Sequence, residues 1–260
     1  MRTLSILLAL AGLGFSTTAL AQSHIEFGPR IGANLTSALF NSTEISSPEL
    51  SYSSSRGYLA GYQLGVGASL NYGHWAVQPA LLFSQKGEKQ VVKASSDFFG
   101  MAITQDFHAD TRVNYLELPV NLVYALGENG QGLQVFAGPY LAVGVGGKAK
   151  YEERATLTDP NGTVTKETSG TERMAFGSRF AEPDPNSPDE PHDVRIRRLD
   201  AGLNLGLGYR CGPVQVQATY ALGLKNVQPS YPESYQLSDD TGYNRSFQLT
   251  ATYFLPKASK

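Results

Sequence analysis

The chain contains a single cysteine, Cys211, among its 260 residues. One thiol cannot form an internal disulfide framework, and Cys211 lies too far from the N-terminus to carry a lipid anchor at a signal cleavage site. The formal net charge is only −2, so the composition gives no indication of nucleic-acid binding. After the N-terminal segment, no run approaches the roughly 18 apolar residues of a membrane-spanning helix. These absences argue against disulfide scaffolds, lipoproteins, nucleic-acid-binding proteins and helical membrane proteins.

The first 21 residues are typical of a secretory signal peptide. A short positive region at the first two residues is followed by an apolar stretch over residues 4–15. Ala19-Leu20-Ala21 then has the small-x-small pattern of a cleavage site. The apolar stretch is too short to span a bilayer as a helix. We therefore predict cleavage between Ala21 and Gln22, which leaves a mature domain over residues 22–260.

Residues 199–210 alternate strictly between two kinds of side chain. Leu203 and Leu207 belong to an apolar set, whereas Asp200 and Asn204 belong to a polar, glycine-rich set. Successive side chains of a strand point to opposite faces of the sheet, so this pattern predicts a two-faced strand. In a soluble sandwich the apolar face would cover a core, and in a transmembrane barrel it would meet lipid while the polar face fills the lumen. The alternation alone allows both interpretations.

Seven further segments repeat the alternation, and the connections between segments favour the barrel. The eight predicted strands cover residues 25–35, 58–72, 74–86, 115–124, 133–145, 199–210, 214–224 and 247–255. Tight connections alternate with long ones, which we expect at residues 40–56, 88–111, 149–195 and 227–243. Outer-membrane barrels sort their connections in this way, and a soluble lipocalin-like barrel has no reason to do so. We predict an all-β fold, an eight-stranded antiparallel up-and-down transmembrane β-barrel with short periplasmic turns and long extracellular loops.

Aromatic side chains on the apolar face support this orientation. Six of them fall near the strand ends that we predict to be periplasmic: Phe27, Tyr72, Trp75, Tyr124, Tyr209 and Tyr253. Amphipathic rings of this kind form girdles at the headgroup level of a membrane.

Four stretches of the chain resemble PorT-like outer-membrane β-barrel proteins. They read GPRIGAN at residues 28–34, QPALLFSQKG at 78–87, YLELP at 115–119 and FAGPY at 136–140. YLELP is the most specific of them, and the resemblance covers essentially the whole mature chain. It implies a small barrel in the outer membrane of a Gram-negative cell, and it implies no chemical activity.

The polar face of the predicted strands carries charged side chains. They are Glu26, Arg30, Lys86, Glu117, Asp200 and Arg210. An eight-stranded barrel is just wide enough for side chains to fill its interior, and an unpaired buried charge is very costly. We therefore predict an internal ion-pair network, with Arg210 or Arg30 as the partner of Glu117. An ion pathway is disfavoured, because eight strands leave no open channel.

Catalytic and metal-binding patterns are weak in this sequence. His108 lies between Asp106 and Asp110, but no positioned nucleophile accompanies this acid–base pattern. The acidic, proline-rich segment 182–193 lacks the ordered ligand spacing of a calcium loop. We predict no catalytic residue, no cofactor and no metal site.

The leading functional hypothesis is a non-enzymatic membrane protein whose loops contact the environment, a partner or the surface layer. The alternatives are a surface-facing lipid-modifying or proteolytic enzyme and an accessory of a transport or secretion system. The expected partners are outer-membrane lipid and a surface or periplasmic protein of unknown identity.

Overall fold

The computed structural model describes residues 24–40, 46–47, 50–98, 100–178, 194–230 and 241–256. The predicted signal peptide and the acidic segment 182–193 lie outside the described residues. The strands are β1 (His24–Phe40), β2 (Ser46–Ser47), β3 (Leu50–Tyr72), β4 (Trp75–Phe98), β5 (Met101–Ala125), β6 (Gly132–Asp159), β7 (Gly162–Phe176), β8 (Val194–Ile196), β9 (Leu199–Cys211), β10 (Val214–Gly223) and β11 (Gly242–Tyr253). A 3-10 turn over Glu128–Gly130 separates β5 from β6, and no helix in the described part of the chain is long and apolar enough to cross a membrane.

Eight of these strands form a closed ring. The order is β5-β4-β3-β1-β11-β10-β9-β6, and the pairing of β5 with β6 completes the circle. Every neighbouring pair in the ring is antiparallel, and each strand lies beside its predecessor in the chain. Closure removes the exposed edges that an open sheet would present. The predicted eight-stranded antiparallel barrel is confirmed.

The distribution of side chains across the ring is the inverse of that in a soluble protein. Leu205 and Leu207 on the outer face are 53 % and 65 % exposed, whereas Asp200 on the inner face is fully buried. Polar side chains make up much of the interior, and apolar side chains cover the outside. In a barrel surrounded by lipid, the apolar side chains of such a strand contact lipid and its polar side chains contact one another in the lumen.

The two ends of the ring differ in their connections. At one end, which we call the turn end, β3–β4, β5–β6 and β9–β10 are joined by the short turns that the sequence predicts. Gly73 and Gly212 adopt φ values of 57° and 56° in two of these turns. This left-handed conformation is accessible to glycine at little cost, which explains the residue choice there. The opposite end is called the hairpin end.

The strands at the hairpin end continue well beyond their predicted limits. Residues 88–111 and much of 149–195 were expected as loops, but β4 pairs with β5 as far as Phe98 and Met101, and β6 continues to Asp159 before turning into β7. Outside a membrane a strand needs no apolar residue at every second position, so the alternation fades while the hydrogen-bonded ladder persists. We call residues 88–98, 101–112, 148–159 and 162–176 the projecting sheet. The predicted connection 40–56 is likewise wrong at residues 50–56, which belong to β3 and pair with β4. The remainder of this connection and of 227–243 lies partly outside the described residues.

Aromatic side chains border the apolar outer face at both ends. The six aromatic residues predicted at the turn end all lie on the outside of the ring. A second set borders the hairpin end and was not predicted: Tyr58, Tyr62, Phe83, Tyr220 and Phe247. On β3, Tyr62 and Tyr72 are ten residues apart, about 33 Å along the strand or roughly 25 Å across a membrane at a tilt near 40°. This height matches the apolar band of an outer-membrane barrel.

Candidate functional site

An ion cluster centred on Lys86 lies in the lumen toward the hairpin end. The Lys86 Nζ atom is 2.9 Å from Glu117 Oε2 and 3.1 Å from Asp200 Oδ2. The three side chains come from β4, β5 and β9, and each is at most 2 % exposed. The cluster therefore joins three strands through charges that are shielded from water.

Polar and aromatic side chains surround this cluster. The Asn244 Nδ2 group donates to Asp200 Oδ2 at 2.9 Å, and the Tyr140 hydroxyl donates to Asp200 Oδ1 at 3.3 Å. The Lys86 ammonium also lies 4.4 Å from the centroid of the Tyr140 ring and 5.4 Å from that of Tyr115. A buried ion pair is tolerated where hydrogen bonds satisfy its remaining atoms, and here they do so for Asp200.

A second ion cluster lies at the turn end. Arg210 and Glu26 form a two-pronged ion pair, with Nη1–Oε2 at 2.7 Å and Nη2–Oε1 at 2.8 Å. Asn71 donates from Nδ2 to Glu26 Oε2 at 2.8 Å, and the Arg210 guanidinium lies 4.3 Å from the centroid of the Phe254 ring. The Nη2 contact is a hydrogen bond between charged groups, and the Nη1 contact adds a second close approach of opposite charges.

The six charges expected in the lumen all lie on its inner face, but they do not form one network. The expected partner of Glu117 was Arg210 or Arg30. Its ion-pair partner is Lys86, and Arg30 interacts with the Glu117 carboxylate only through the longer-range attraction of their charges. Arg210 lies at the end of β9 beside the turn, far in height from Glu117, and Arg30 donates from Nη2 to the Thr250 hydroxyl at 2.9 Å. Sequence alternation assigns a side chain to a face, and only the strand register assigns it a height.

Side-chain amides cross the lumen between the two ion clusters. Gln78 and Gln215 exchange hydrogen bonds of 3.1 Å and 2.9 Å, and Gln217 donates to Gln78 Oε1 at 3.2 Å. Their strands, β4 and β10, are four places apart in the ring of eight and so lie opposite each other. The predicted network of charges does not include these glutamines, although all three occupy polar positions of the alternation.

Aromatic side chains fill further space in the lumen. Phe136 on β6 lies directly over Gly206 of β9, its register partner. A Cβ atom at Gly206 would come within 2.3 Å of the Phe136 ring, so only glycine leaves room for it. Ion pairs, amides and rings together occupy the interior at several heights. This arrangement holds the barrel together and leaves little room for a solute.

The outer face of the projecting sheet carries two adjoining grooves. They have volumes of about 390 and 440 Å³, and both are lined by His108 and Glu152. Asp106 and the ion pair between Arg154 and Glu167 line the first groove, and Asp110 lines the second. Among the described residues, His108 makes no hydrogen bond to a carboxylate or a hydroxyl group.

Metal-ligating side chains do not converge in the described part of the chain. No group of three or more His, Cys, Asp or Glu residues there could hold an ion. Cys211 is exposed at the turn end.

Comparison with known proteins gives distant structural similarities and one family match. None of the curated proteins matches the chain. The solved structures that resemble it include Ail, the attachment invasion locus protein of Yersinia pestis, in complex with the heparin analogue sucrose octasulfate (11 % identity, 89 % of this chain and 99 % of that chain, TM-score 0.36). They also include Neisserial surface protein A (12 % identity, 87 % of this chain and 96 % of that chain, TM-score 0.29). A third is a TodX deltaS2S3 mutant monoaromatic hydrocarbon channel (8 % identity, 95 % of this chain and 93 % of that chain, TM-score 0.25).

The family match covers residues 20–228 and has the description outer membrane protein beta-barrel domain. It ends before β11, which nevertheless pairs with both β1 and β10 in the ring. The match includes far more than half of the 260 residues. The chain therefore belongs to the outer membrane protein beta-barrel domain family and is a β-barrel protein of the outer membrane.

Proposed function

We propose that this outer-membrane barrel is neither an enzyme nor a channel, and that it acts by binding ligands with its projecting sheet. The filled lumen is the observation that carries the proposal. Gln78 and Gln215 meet across the full width of the ring, and Lys86 with its two carboxylates occupies the interior nearer the hairpin end. Since solutes find little room inside, function is left to the outer surfaces.

The projecting sheet is the surface best suited to that role. Its segments of β4, β5, β6 and β7 extend beyond the apolar band. They expose charged side chains of both signs around the two grooves lined by His108. Short turns at one end and long hairpins at the other are typical of barrels whose hairpins face the cell exterior. In that orientation the sheet stands on the cell surface. Concave sites with a few convergent polar groups are the usual places of ligand binding.

The chain further resembles the PorT-like group, and its four resembling stretches supply much of the lumen. Arg30, Lys86, Glu117 and Tyr140 each come from a different one of these stretches. Residues that fill a barrel specify its shape and carry no chemistry to a substrate. The resemblance thus supports a structural role for these stretches and assigns no secretion role to a particular residue.

The filled lumen predicts that the protein does not conduct. Purified full-length protein inserted into planar lipid bilayers should give no discrete current steps. Insertion is checked separately by the change in gel mobility on heating that folded barrels show. Regular steps from a folded preparation would contradict a closed lumen and favour a transport role.

Trimming the projecting sheet tests the binding role. Val92 pairs with Phe107, and Glu152 pairs with Ser169, so residues 93–106 and 153–168 can each be replaced by Asn-Gly. A two-residue Asn-Gly turn suits an antiparallel hairpin and leaves the strand register unchanged. The trimmed barrel should fold, and on an array of charged and neutral oligosaccharides and peptides it should lose ligands that the intact protein binds.

Two results would contradict the binding role. One is an intact protein whose array binding is the same as that of the trimmed barrel. The other is turnover of a lipid or peptide substrate by the intact protein in micelles, which would show that the barrel is an enzyme.

A further inference from the structure

Positive side chains form a row across the base of the projecting sheet. Arg112 on β5 pairs in register with Lys148 on β6, and Lys148 pairs with Arg173 on β7. The next row outward contains Lys89, Asp110 and Lys150, which are also register neighbours. Five cations and one carboxylate therefore share two adjacent rows on the outer face of the sheet.

The row lies just beyond the apolar band. On β5 the outward positions run from Leu118 and Leu116 through Asn114 to Arg112. Arg112 is four residues from Leu116, the last leucine, which is about 13 Å along the strand. Because the strand is tilted, this distance places Arg112 roughly 10 Å above Leu116 along the membrane normal. On β11, Arg245 stands one outward position beyond Phe247. These cations thus occupy the height of lipid headgroups.

The row has no counter-charge of its own within the described part of the chain. The ion pairs there involve other residues, and no described carboxylate pairs with Arg112, Lys148 or Arg173. Like charges directly opposite each other on neighbouring strands are destabilising. A sheet that places three cations side by side therefore favours an anion that lies against them.

The described residues form no such surface at the opposite end of the barrel. No described lysine or arginine faces outward at the turn end, where Arg210 points into the lumen and pairs with Glu26. The outward-facing cations of the described residues therefore lie at one membrane surface. Two rows beyond Lys89, Asp110 and Lys150, the outward row contains Lys93, Asp106, Arg154 and Glu167 in that order. In this row the two carboxylates balance the charge of the two cations.

We propose that Arg112, Lys148 and Arg173, with Lys89 and Lys150 beside them, bind the phosphate groups of lipid headgroups in the leaflet at the hairpin end. Guanidinium groups bind phosphate oxygens in pairs, and ammonium groups add charge without a fixed geometry. Basic clusters immediately next to a membrane span attract anionic lipids in the same way. The site anchors the base of the projecting sheet to the membrane surface and does not depend on what the sheet binds above.

Native mass spectrometry of the full-length protein in mixed micelles tests this site, with bisphosphorylated lipid A as the probe and dephosphorylated lipid A as the reference. The wild type should retain the phosphorylated form preferentially. The variant Arg112→Gln/Lys148→Gln/Arg173→Gln should bind it roughly a hundredfold more weakly, because three surface cations are removed. A matched control, Lys93→Gln/Arg154→Gln/Lys166→Gln, loses the same charge farther from the membrane and should bind as the wild type does.

Three outcomes would overturn the proposal: equal binding of the two lipid A forms by the wild type, unchanged binding by the first variant, or an equal loss in the control. Arg112 also donates to the Ala60 carbonyl at 2.8 Å, so the variant Lys148→Gln/Lys150→Gln/Arg173→Gln tests the site with that contact intact. The barrel trimmed at residues 93–106 and 153–168 keeps every residue of the site. It should bind lipid A normally even if the proposed function of the upper sheet fails.

Discussion

Replacing Lys86 by methionine should destabilise the folded barrel by about 3–5 kcal/mol, because the change leaves two buried carboxylates without a cation. Glu117 and Asp200 are 1 % and 0 % exposed, so water cannot take over the role of the ammonium group. Methionine retains most of the side-chain volume, which limits the contribution of a cavity. The free energy of unfolding in urea, measured in lipid vesicles or detergent micelles, reports the loss.

An exposed ion pair provides the control for Lys86. Arg154 and Glu167 lie 2.8 Å apart on the projecting sheet, but their side chains are 62 % and 65 % exposed. Surface pairs contribute about 0–1 kcal/mol, so Arg154→Met should change the unfolding free energy little. Adding Glu117→Gln and Asp200→Asn to Lys86→Met should restore part of the stability, since no charge is then left unpaired. If Lys86→Met and Arg154→Met have equal effects, the cluster at the hairpin end does not stabilise the barrel.

Arginine in place of Leu205 should cost roughly 2–4 kcal/mol, the penalty for a charge near the bilayer midplane on a lipid-facing strand. Leu205 is 53 % exposed on the outside of β9, near the middle of the outward apolar positions that run from Leu199 to Tyr209. The same exposure on a soluble protein would make an arginine nearly harmless. Unfolding measured in phosphatidylcholine vesicles therefore distinguishes a lipid-facing leucine from a water-facing one.

Val164 supplies the comparison for Leu205. It is 69 % exposed on β7, outside the apolar band, so Val164→Arg should leave the unfolding free energy within about 0.5 kcal/mol of the wild type. Equal effects of the two substitutions would mean that residue 205 does not face lipid.

The sequence predicts the barrel well because its signal is local. Leu203, Asn204, Leu205 and Gly206 follow one another on opposite faces, and the two-residue period is visible without any knowledge of the neighbouring strands. The turns at Gly73 and Gly212 are local as well. The number of strands, their faces and their order along the ring could therefore be read from the residues.

The contacts inside the lumen could not be predicted in the same way. Whether Glu117 meets Lys86 or Arg210 depends on the stagger between strands, which no segment encodes by itself. The projecting sheet was missed for a different reason. Thr104, Thr156 and Thr165 share one row of it, and threonine suits a strand whose two faces both meet water. A search for alternating apolar residues does not detect such a strand.

The pairing of β1 with β11 determines when the barrel can exist at all. Arg30 lies opposite Thr252, more than 200 positions later in the chain, so closure waits for the C-terminal strand. Until that strand arrives, β1 and β10 each present an edge of unpaired N–H and C=O groups, which can join to another polypeptide. Contacts of such large sequence separation also form slowly. The chain must therefore reach the membrane open and be protected from pairing with its neighbours until its last strand closes the ring.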